Sequence, residues 1–567
     1  MPDTRRESRP VPSVQRADSG ARVTGTPASE PRTPAPQTET PTAEATAPRT
    51  QHSVLFPPDR IPARLHAQEP PFFADLNLDQ VVAALTWGRE EYDLGPLFHT
   101  LPRSVEIVGY RQAALRDLEH PQVLAAVRAS AESMRTVRAH LRQAGKLHYR
   151  WQKRRWFLEA VWTYAEGVTR LAADLPGDLA SDAFRGLREH VSTYTATAAF
   201  ATLLDESRRL RDELAGIRYT LLIRENRIRV DRFAGGDDYG AEVAEAFRKF
   251  EQGEARAYRF DFPGSADMNH VEAAVLDLVA RLWPETFAFL DRFAPDHRDF
   301  IDPTLERFDR EVQVYLAWIE HIASMRRAGL PFCYPDVRRR PAGILARDAF
   351  DVALAATLAE RGRRVVTNDV ALRDPERALV VTGPNQGGKT TFARMFGQLH
   401  YLGRMGLTVP GREARLQFFD GLYAHFEREE DLGDLASKFE EDVARIHETI
   451  ERLTPDSLVI LNETFSSTSV QDALLLSRDI LRRILLAGAR CLFVTFLDEL
   501  ASVGPEVVSV VGTVDPDDPA IRTFRIVPQP ANGRAYSEAI ARKHGLTPER
   551  LRERLPNARS SGTSADR

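Results

Sequence analysis

One short segment, ALVVTGPNQGGKTTFARM, has glycine, lysine and threonine at the spacing of a phosphate-binding loop. The pattern G-x-x-x-x-G-K-T follows an apolar run and precedes a helical one, which is the context that this motif requires. Glycines let the backbone wrap phosphate oxygens, Lys389 would neutralise the β- and γ-phosphates, and the Thr390 hydroxyl can ligate Mg²⁺. The following helix directs its positive end at the anion. The predicted nucleotide-binding residues are Gly383, Pro384, Asn385, Gln386, Gly387, Gly388, Lys389, Thr390 and Thr391.

A second segment, SLVILNETFSS, is an apolar run that ends in Asn462-Glu463. In many nucleotide hydrolases such a strand ends in Asp-Glu, where the Asp serves Mg²⁺ and the Glu serves the attacking water. Asn462 keeps a carbonyl oxygen but has no negative charge, so Mg²⁺ should be held more weakly by Thr390 and Asn462. Glu463 is the predicted catalytic residue. The pattern predicts slow ATP hydrolysis, with nucleotide binding without hydrolysis as the alternative.

Helices and strands must position these residues. The pattern of apolar and polar residues predicts where these elements lie and divides the chain into parts. Long helical periodicity fills the first half, including helices over 120–145 and 151–175, and Tyr219 to Arg232 alternates as a β-hairpin. Apolar runs then alternate with helical segments, which is typical of an α/β domain. The predicted parts are a disordered tail at 1–66, an all-α domain at 67–345, an α/β P-loop domain at 346–530, a helix-turn-helix at 531–556 and a second disordered tail at 557–567.

Composition excludes several classes of protein. Of 567 residues, 43% are hydrophobic and 28% are charged, as in ordinary globular proteins, and the net charge of −5 argues against a uniformly basic nucleic-acid binder. Two cysteines cannot form a disulfide framework, and no run is apolar enough to span a bilayer. We therefore expect a cytoplasmic protein without a membrane partner.

The loop TGPNQGGKTT resembles the TGPN-x-GGK-[ST] loop of the MutS family of DNA mismatch repair ATPases. Further segments resemble that family on both sides of the loop. These are VVTNDVAL, GLTVPG, EDLGDLASKFEEDVARIHETI, SLVILNETFSSTS and RAYSEAIARKHGLTPERL. The resemblance covers roughly residues 72–556, and it implies a helical core and lever domain, an ABC-like ATPase domain and a closing helix-turn-helix that packs at a dimer interface.

The resemblance also implies roles for particular residues. Asn368 lies in the segment that helps to hold adenine, although the usual aromatic residue is missing from it. Ser437 corresponds to a serine that reaches the partner subunit's γ-phosphate, and it could equally be a helix cap. Thr495-Phe496 stands where the family has Thr-His, so the histidine that lies near the γ-phosphate is replaced by phenylalanine.

The function implied is that of a homodimeric ATPase that uses ATP and Mg²⁺ to change the angle of its helical levers around double-stranded DNA, in repair or recombination. Only the predicted disordered tail precedes the core, so we expect a shortened relative without the N-terminal mismatch-recognition domain. Two alternatives remain. One is a nucleotide-binding scaffold or clamp with no DNA role or hydrolysis. The other, an ABC-type chromosome protein, is disfavoured because no long heptad pattern interrupts the nucleotide domain.

Overall fold

The first half of the chain folds into helices joined by short loops. The computed structural model describes residues 52–225, 227–235, 268–340, 343–427, 435–465, 468–515, 517–518, 521–531 and 546. The helices of the first half are α1 (Leu78–Thr86), α2 (Gly95–His99), α3 (Val105–Asp117), α4 (Pro121–Lys146), α5 (Arg150–Asp174), α6 (Asp182–Thr195), α7 (Ala198–Ala215), α8 (His270–Leu282), α9 (Pro284–Asp296) and α10 (Pro303–Arg327).

The two long predicted helices and the hairpin are confirmed. Helix α4 begins at Pro121, whose ring fits the first helical position, and α5 ends in a short connection before α6. The hairpin consists of β1 (Tyr219–Arg224) and β2 (Arg227–Arg232), which pair antiparallel in register across the turn. Local periodicity was sufficient for these elements because each is long or strongly alternating.

The second half is a mixture of strands and helices. Its strands are β3 (Phe332–Cys333), β4 (Asp336–Arg338), β5 (Gly343–Ala349), β6 (Asn368–Arg373), β7 (Ala378–Thr382), β8 (Val409–Pro410), β9 (Glu413–Gln417), β10 (Leu422–Phe426), β11 (Leu458–Asn462), β12 (Arg490–Val494), β13 (Val507–Val514) and β14 (Arg522–Pro528). Its helices are α11 (Val352–Glu360), α12 (Lys389–Arg404), α13 (Leu435–Glu451) and α14 (Val470–Leu486).

The main sheet has six strands in the order β10-β11-β12-β7-β13-β14, and all neighbours are parallel except β13 and β14. Strand β7 is buried on both faces, as parallel sheets require. Leu379 and Val381 belong to a core shared with the helical half, whereas Ala378 and Val380 face a second core built with α13 and α14. The carboxyl ends of β7, β11 and β12 therefore meet at one edge.

The predicted boundary between residues 345 and 346 is wrong, because it cuts through β5. Strand β3 pairs with β8, and β5 pairs with β6 and β9, so the sheets already begin at Phe332. Within the apolar run RRVVTN at 363–368, only Asn368 belongs to a strand, because β6 begins there. The helical and α/β parts belong to one compact unit. The two domains that the sequence pattern predicts are therefore packed together and do not form separate units.

The predicted disordered tail is also too long. Val54, Leu55 and Phe56 are buried, and the side chain of Glu311 in α10 accepts hydrogen bonds from Ser53 Oγ at 2.6 Å and from the Val54 amide at 2.9 Å. The short apolar sequence was masked by the Pro- and Arg-rich composition around it. Residues 52–56, which we call the N-terminal strap, are part of the core because their backbone groups find partners there.

Helix α12, which follows the phosphate-binding loop and is called the P-loop helix below, is held by the helical half along its length. Its side chains donate to carbonyl oxygens of the segment 75–102. The bonds run from Arg394 to Asp75 (3.1 Å), from Gln398 to Leu76 (2.9 Å), from Tyr401 to Phe98 (2.8 Å) and from Arg404 to Pro102 (3.0 Å). The α/β half and the helical half thus share the P-loop helix.

Arg111 of α3 links the far end of the P-loop helix to the N-terminal strap. Its buried guanidinium donates to the Leu55 carbonyl at 2.9 Å and to the Met405 carbonyl at 3.3 Å, and it lies over the Phe56 ring. Met405 caps the P-loop helix, so a cation sits where the helix dipole is negative.

Other predicted parts lie outside the described residues. They are the tail before residue 52, most of the helix-turn-helix at 531–556, and the segment from 557 onward. No helix among the described residues is long and apolar enough to cross a membrane.

Replacing Leu55 with alanine tests whether the N-terminal strap is a core element. We expect Leu55→Ala to lower the free energy of unfolding by roughly 2–4 kcal/mol, because the buried side chain leaves a cavity. Denaturant unfolding followed by circular dichroism is the measurement. Leu65→Ala, at a partly buried position, is the control and should cost less. Equal midpoints for Leu55→Ala and the unmodified protein would contradict the burial of the strap.

Candidate nucleotide site

The phosphate-binding loop connects the central strand β7 to the P-loop helix. Gly383 and Gly388 have φ values of +118° and +92°, which favour glycine. A Cβ at Gly383 would lie 2.8 Å from the backbone nitrogen of Gly512, so a side chain there would push the loop off β13. Gln386 also has a positive φ, of +59°. Local backbone geometry thus explains why the loop is rich in glycine.

Lys389 lies buried at the first position of the P-loop helix, with 3% of its side chain exposed. Its ammonium donates to the Gly383 carbonyl at 3.0 Å and to Asn385 Oδ1 at 3.3 Å. It also lies 3.4 Å from a carboxylate oxygen of Glu463, which follows β11. The loop lysine and the predicted catalytic carboxylate, 74 positions apart in sequence, are therefore neighbours.

The Asn462-Glu463 pair ends β11 at the same edge of the sheet. Glu463 has a φ of +54°, a conformation that residues other than glycine seldom adopt and that is found often at functional sites. Asn462 is buried, and its Oδ1 has no hydrogen-bond partner among the described residues. The Thr382 hydroxyl at the end of β7 is likewise buried without a partner. Unpartnered buried oxygens of this kind suit a polar ligand or a hydrated cation.

A cavity of about 730 Å³ adjoins the loop, which is ample for a nucleotide. Most of the predicted nucleotide-binding residues line it. They are Asn368, Asn385, Gln386, Gly388, Lys389, Thr390 and Thr391, and the predicted catalytic residue Glu463 lines the cavity as well. Gly383, Pro384, Gly387 and Asn462 are not among its lining residues, although the first three belong to the loop itself. Leu354, Val365 and Val366 supply an apolar part of the wall.

Phe524 is a cavity residue that the sequence did not single out. It lies on β14, and 47% of it is exposed, although the ring lines the cavity. Asn368, in the segment that was expected to help hold adenine, makes hydrogen bonds to this strand through its side chain. Its Nδ2 donates to the Phe524 carbonyl at 3.1 Å, and its Oδ1 accepts from the Ile526 amide at 2.7 Å. No local pattern marks Phe524, because its place depends on a strand 156 residues away.

Phe496 is not among the residues that line the cavity. Phe496, in the position where the family has histidine, follows β12 and is 47% exposed. Ser437 lies near the beginning of α13 as described, and its side chain is outside the described part of the structure. Ser469 caps α14 by accepting from the Asp472 amide.

Metal ligands supplied by the protein alone are few. Among the described residues, no group of three or more His, Cys, Asp or Glu side chains is arranged to hold a metal ion. A divalent cation in this site would therefore need phosphate oxygens beside the Thr390 hydroxyl and the Asn462 carbonyl oxygen.

Comparison with known proteins finds relatives for the part of the chain that holds this site. The model of MutS domain V matches residues 379–554, which include the loop, the P-loop helix and the Asn462-Glu463 pair. A DNA mismatch repair protein MutS from Halalkalibacterium halodurans is 30% identical over 186 residues, which are 32% of this chain and 21% of that protein. Residues 379–554 of this chain are similar to MutS domain V.

Other MutS relatives match similar regions. An Endonuclease MutS2 from Gemmatimonas aurantiaca is 31% identical over 205 residues, covering 35% of this chain and 24% of that protein. A DNA mismatch repair protein MutS from Chloroflexus aurantiacus is 27% identical over 264 residues, covering 45% and 27%. The matched region thus spans about a quarter of the length of these MutS relatives, and the match centres on the ATPase-like domain V.

Proposed function

We propose that this chain is an ATP-binding member of the MutS family that hydrolyses ATP slowly and acts as a nucleotide-switched clamp on double-stranded DNA, in repair or recombination. The observation that carries the proposal is the position of Lys389. A buried ammonium at the beginning of a helix, with the carboxylate of Glu463 beside it and a large cavity in front, is a site for a polyanion.

Nucleotide binding would rearrange the contacts of Lys389. Its partners in the structure are one carbonyl, one amide oxygen and Glu463. A triphosphate carries more negative charge than these partners, so its β- and γ-oxygens would draw the ammonium away from Glu463. The freed carboxylate could then accept a proton from a water molecule. The same lysine would thus bind the phosphates and free the Glu463 carboxylate to act as the general base.

Slow turnover follows from the two departures from the family pattern. Asn462 supplies an oxygen without charge, so together with Thr390 it would hold Mg²⁺ less firmly than an aspartate would. Bound Mg²⁺ would supply positive charge against the triphosphate. Phe496 cannot donate a hydrogen bond to a γ-phosphate, as histidine can. Phosphoryl transfer depends on such positioning and charge, so hydrolysis should be slowed.

The same two departures favour a second candidate, a nucleotide-binding scaffold without hydrolysis. In that case ATP would be a structural ligand, and Lys389 would matter for binding while Glu463 would not matter for turnover. A homodimer is proposed in either case, with Ser437 of one protomer directed at the nucleotide of its partner, as in the resembled family.

Double-stranded DNA is proposed as the partner on two grounds. The relatives include proteins named for DNA mismatch repair and an endonuclease. The hairpin also carries a concentration of positive charge. From Arg218 to Arg232 the chain has five arginines against two acidic residues, on a protein whose net charge is −5. Arg218, Arg224 and Arg227 are exposed, and no ion pair is found for them within the described part of the chain.

The hairpin lies at the end of the helical half that points away from α3. Two contacts of helix α5 give the distance. The Asp174 carbonyl at the end of α5 accepts a hydrogen bond from Gln122, which lies near α3, whereas Glu159 of α5 pairs with Arg211 of α7. Fifteen residues of helix separate these two points by about 22 Å. Arg211 lies near the end of α7, and the hairpin follows that end. Arginines at this end would contact phosphates in the proposed complex.

The basic and aromatic run LHYRWQKRRWF near the same end is largely neutralised. Arg150 and Arg154 both bond the carboxylate of Asp291, and Arg155 pairs with Glu159. The ring of Trp151 packs edge-on against Phe287 with centroids 4.9 Å apart. This run therefore stabilises the contact between α5 and α9, and it is a weaker candidate for DNA than the hairpin.

The nucleotide site is tested by ATP binding and by steady-state hydrolysis over a range of Mg²⁺ concentrations. We expect Lys389→Ala to abolish ATP binding, because the phosphates lose their main cation. Glu463→Gln should bind ATP but lose most turnover, because an amide cannot accept the proton. Asn462→Asp should raise turnover and lower the Mg²⁺ concentration needed. Lys153→Ala, at an exposed lysine of α5, is the control.

Two outcomes would count against the proposal. If Lys389→Ala binds ATP as tightly as the unmodified protein does, the nucleotide-site assignment fails. If ATP binds but turnover does not exceed the Lys389→Ala background, and Asn462→Asp does not restore it, the scaffold candidate replaces the slow ATPase.

DNA binding by the hairpin is tested by replacing Arg218, Arg224 and Arg227 together with glutamine. We expect weaker binding to duplex DNA and a salt dependence whose log–log slope falls by up to about 3, since each lost phosphate contact removes about 0.9. The control carries the same loss of charge at Arg64, Arg103 and Arg327, which are exposed nearer the α/β half. Equal DNA affinity and slope for both triple variants would exclude the hairpin as the contact.

A further inference from the structure

The backbone of the N-terminal strap is bound by side chains of α3 and α10. Three successive carbonyl oxygens of the strap each accept a hydrogen bond from one of these side chains. The bonds run from Tyr110 to Ser53 (2.7 Å), from Tyr315 to Val54 (2.9 Å) and from Arg111 to Leu55 (2.9 Å). In peptide-binding sites, bonds to the main chain supply affinity and pockets for side chains supply specificity. The contacts of the strap are of this kind.

Glu311 of α10 binds the amide groups of the same segment. Its carboxylate accepts from Ser53 Oγ at 2.6 Å, from the Val54 amide at 2.9 Å and from the Leu55 amide at 3.4 Å. Glu311 and Arg111 are both buried, so loss of the strap would take hydrogen bonds away from two buried charged groups. The groove therefore favours an occupant with an extended, unpaired backbone.

The apolar side chains of the strap fill the same groove. Val54 and Leu55 are fully buried, and the guanidinium of Arg111 lies 4.7 Å from the centre of the Phe56 ring. The chain then reaches the surface, because residues 58–60 and 63–64 are exposed. Residues 52–56 thus form a short buried peptide whose continuation is open to solvent.

We propose that the groove between α3 and α10 is an exchangeable binding site for an extended peptide, which the chain fills with its own strap, and that the occupied site supports the P-loop helix through Arg111. The Arg111 guanidinium donates to the Leu55 carbonyl and to the Met405 carbonyl, so one side chain contacts both the peptide and the end of that helix. Loss of the strap would free Arg111 to reorient. The link to the helix rests on the proposed function, because the P-loop helix begins at the proposed nucleotide site.

His52 makes occupancy of the groove dependent on pH. It is buried against α6, where a Cβ built on Gly186 would lie 2.8 Å from its ring, and its Nε2 has no partner among the described residues. Burial, and then the nearby His190 and Arg307, lower the pKa of His52 to about 4. In a free peptide the pKa is about 6.5, so the free strap takes up a proton more readily. Binding is therefore full above about pH 6.5 and weakens as the pH falls toward 4.

The experiment separates the strap from the rest of the full chain after folding. A protease recognition sequence is inserted between Ala63 and Arg64, and the purified protein is cut there. Binding of a fluorescent peptide of residues 50–59 is then followed by anisotropy with the cut and the uncut protein. We expect the peptide to bind the cut protein only. The same peptide with Leu55→Ala should bind at least about tenfold more weakly, because it leaves a cavity, whereas the peptide with Pro58→Ala, at an exposed position, is the matched control.

The pH dependence is measured with two peptides on the cut protein. The natural peptide should bind about tenfold more weakly at pH 5.5 than at pH 7.5, whereas the peptide with His52→Gln should change less than about threefold. His190 and Glu311 face both peptides alike, so the difference between the peptides isolates His52. Equal pH dependence for the two peptides would contradict the role of His52.

The link to the P-loop helix is measured as the ATP dissociation constant of the cut protein with and without saturating peptide. We expect the peptide to tighten ATP binding about fivefold or more, and ATP to tighten peptide binding by the same factor. Lys389→Ala should remove the effect of ATP on the peptide.

The outcomes separate this inference from the proposed function. If the cut protein does not exchange its strap, or binds all the peptides equally, the peptide site is overturned. If the cut protein unfolds and excess peptide does not keep it folded, the strap is an inseparable part of the core and the proposal fails. If the peptide exchanges but ATP affinity does not respond, the link through Arg111 is overturned. If the unmodified protein binds no ATP, the proposed function fails, and peptide exchange alone decides the peptide site.

Discussion

The attachment of the P-loop helix to the helical half is the constraint on which the rest of the structure depends. This helix begins with the lysine of the phosphate-binding loop, and its side chains donate to four carbonyl oxygens of the segment 75–102. Moving the helix alone would leave these carbonyls and several buried donors unsatisfied, at a cost of about 1–3 kcal/mol for each group. The helix and the segment must therefore move together.

Gln398 shows how closely the site and the helical half are joined. The side chain is fully buried, donates to the Leu76 carbonyl at 2.9 Å and to Asp351 at 3.0 Å, and accepts from the Val352 amide at 2.8 Å. Asp351 lines the cavity beside the phosphate-binding loop, so one amide side chain contacts the cavity wall, the P-loop helix and the helical half. At the other end of the helix, Arg111 extends the connection to the N-terminal strap. The charge of a ligand at the phosphate-binding loop would thus act on hydrogen bonds that continue from the cavity wall to the N-terminal strap.

The sequence was informative where structure is local. The strand, loop and helix around Lys389 and the long helices α4 and α5 follow from spacing within a few turns. The boundary near residue 345 was wrong because β3 and β5 are completed by β8 and β9, which lie more than 60 residues later. The N-terminal strap was missed because its apolar residues are too few to outweigh the composition of the tail. Phe524 was missed because its strand is joined to the cavity by bonds to Asn368, which lies 156 residues earlier in the sequence.

Hydrogen–deuterium exchange of the full chain with and without ATP tests the central claim most directly. If the P-loop helix joins the nucleotide site to the helical half, ATP should slow amide exchange in peptides from 98–111 as well as in those from the phosphate-binding loop. Lys389→Ala should remove both effects. Slowed exchange confined to residues 383–391, with 98–111 unchanged while ATP is bound, would contradict the account.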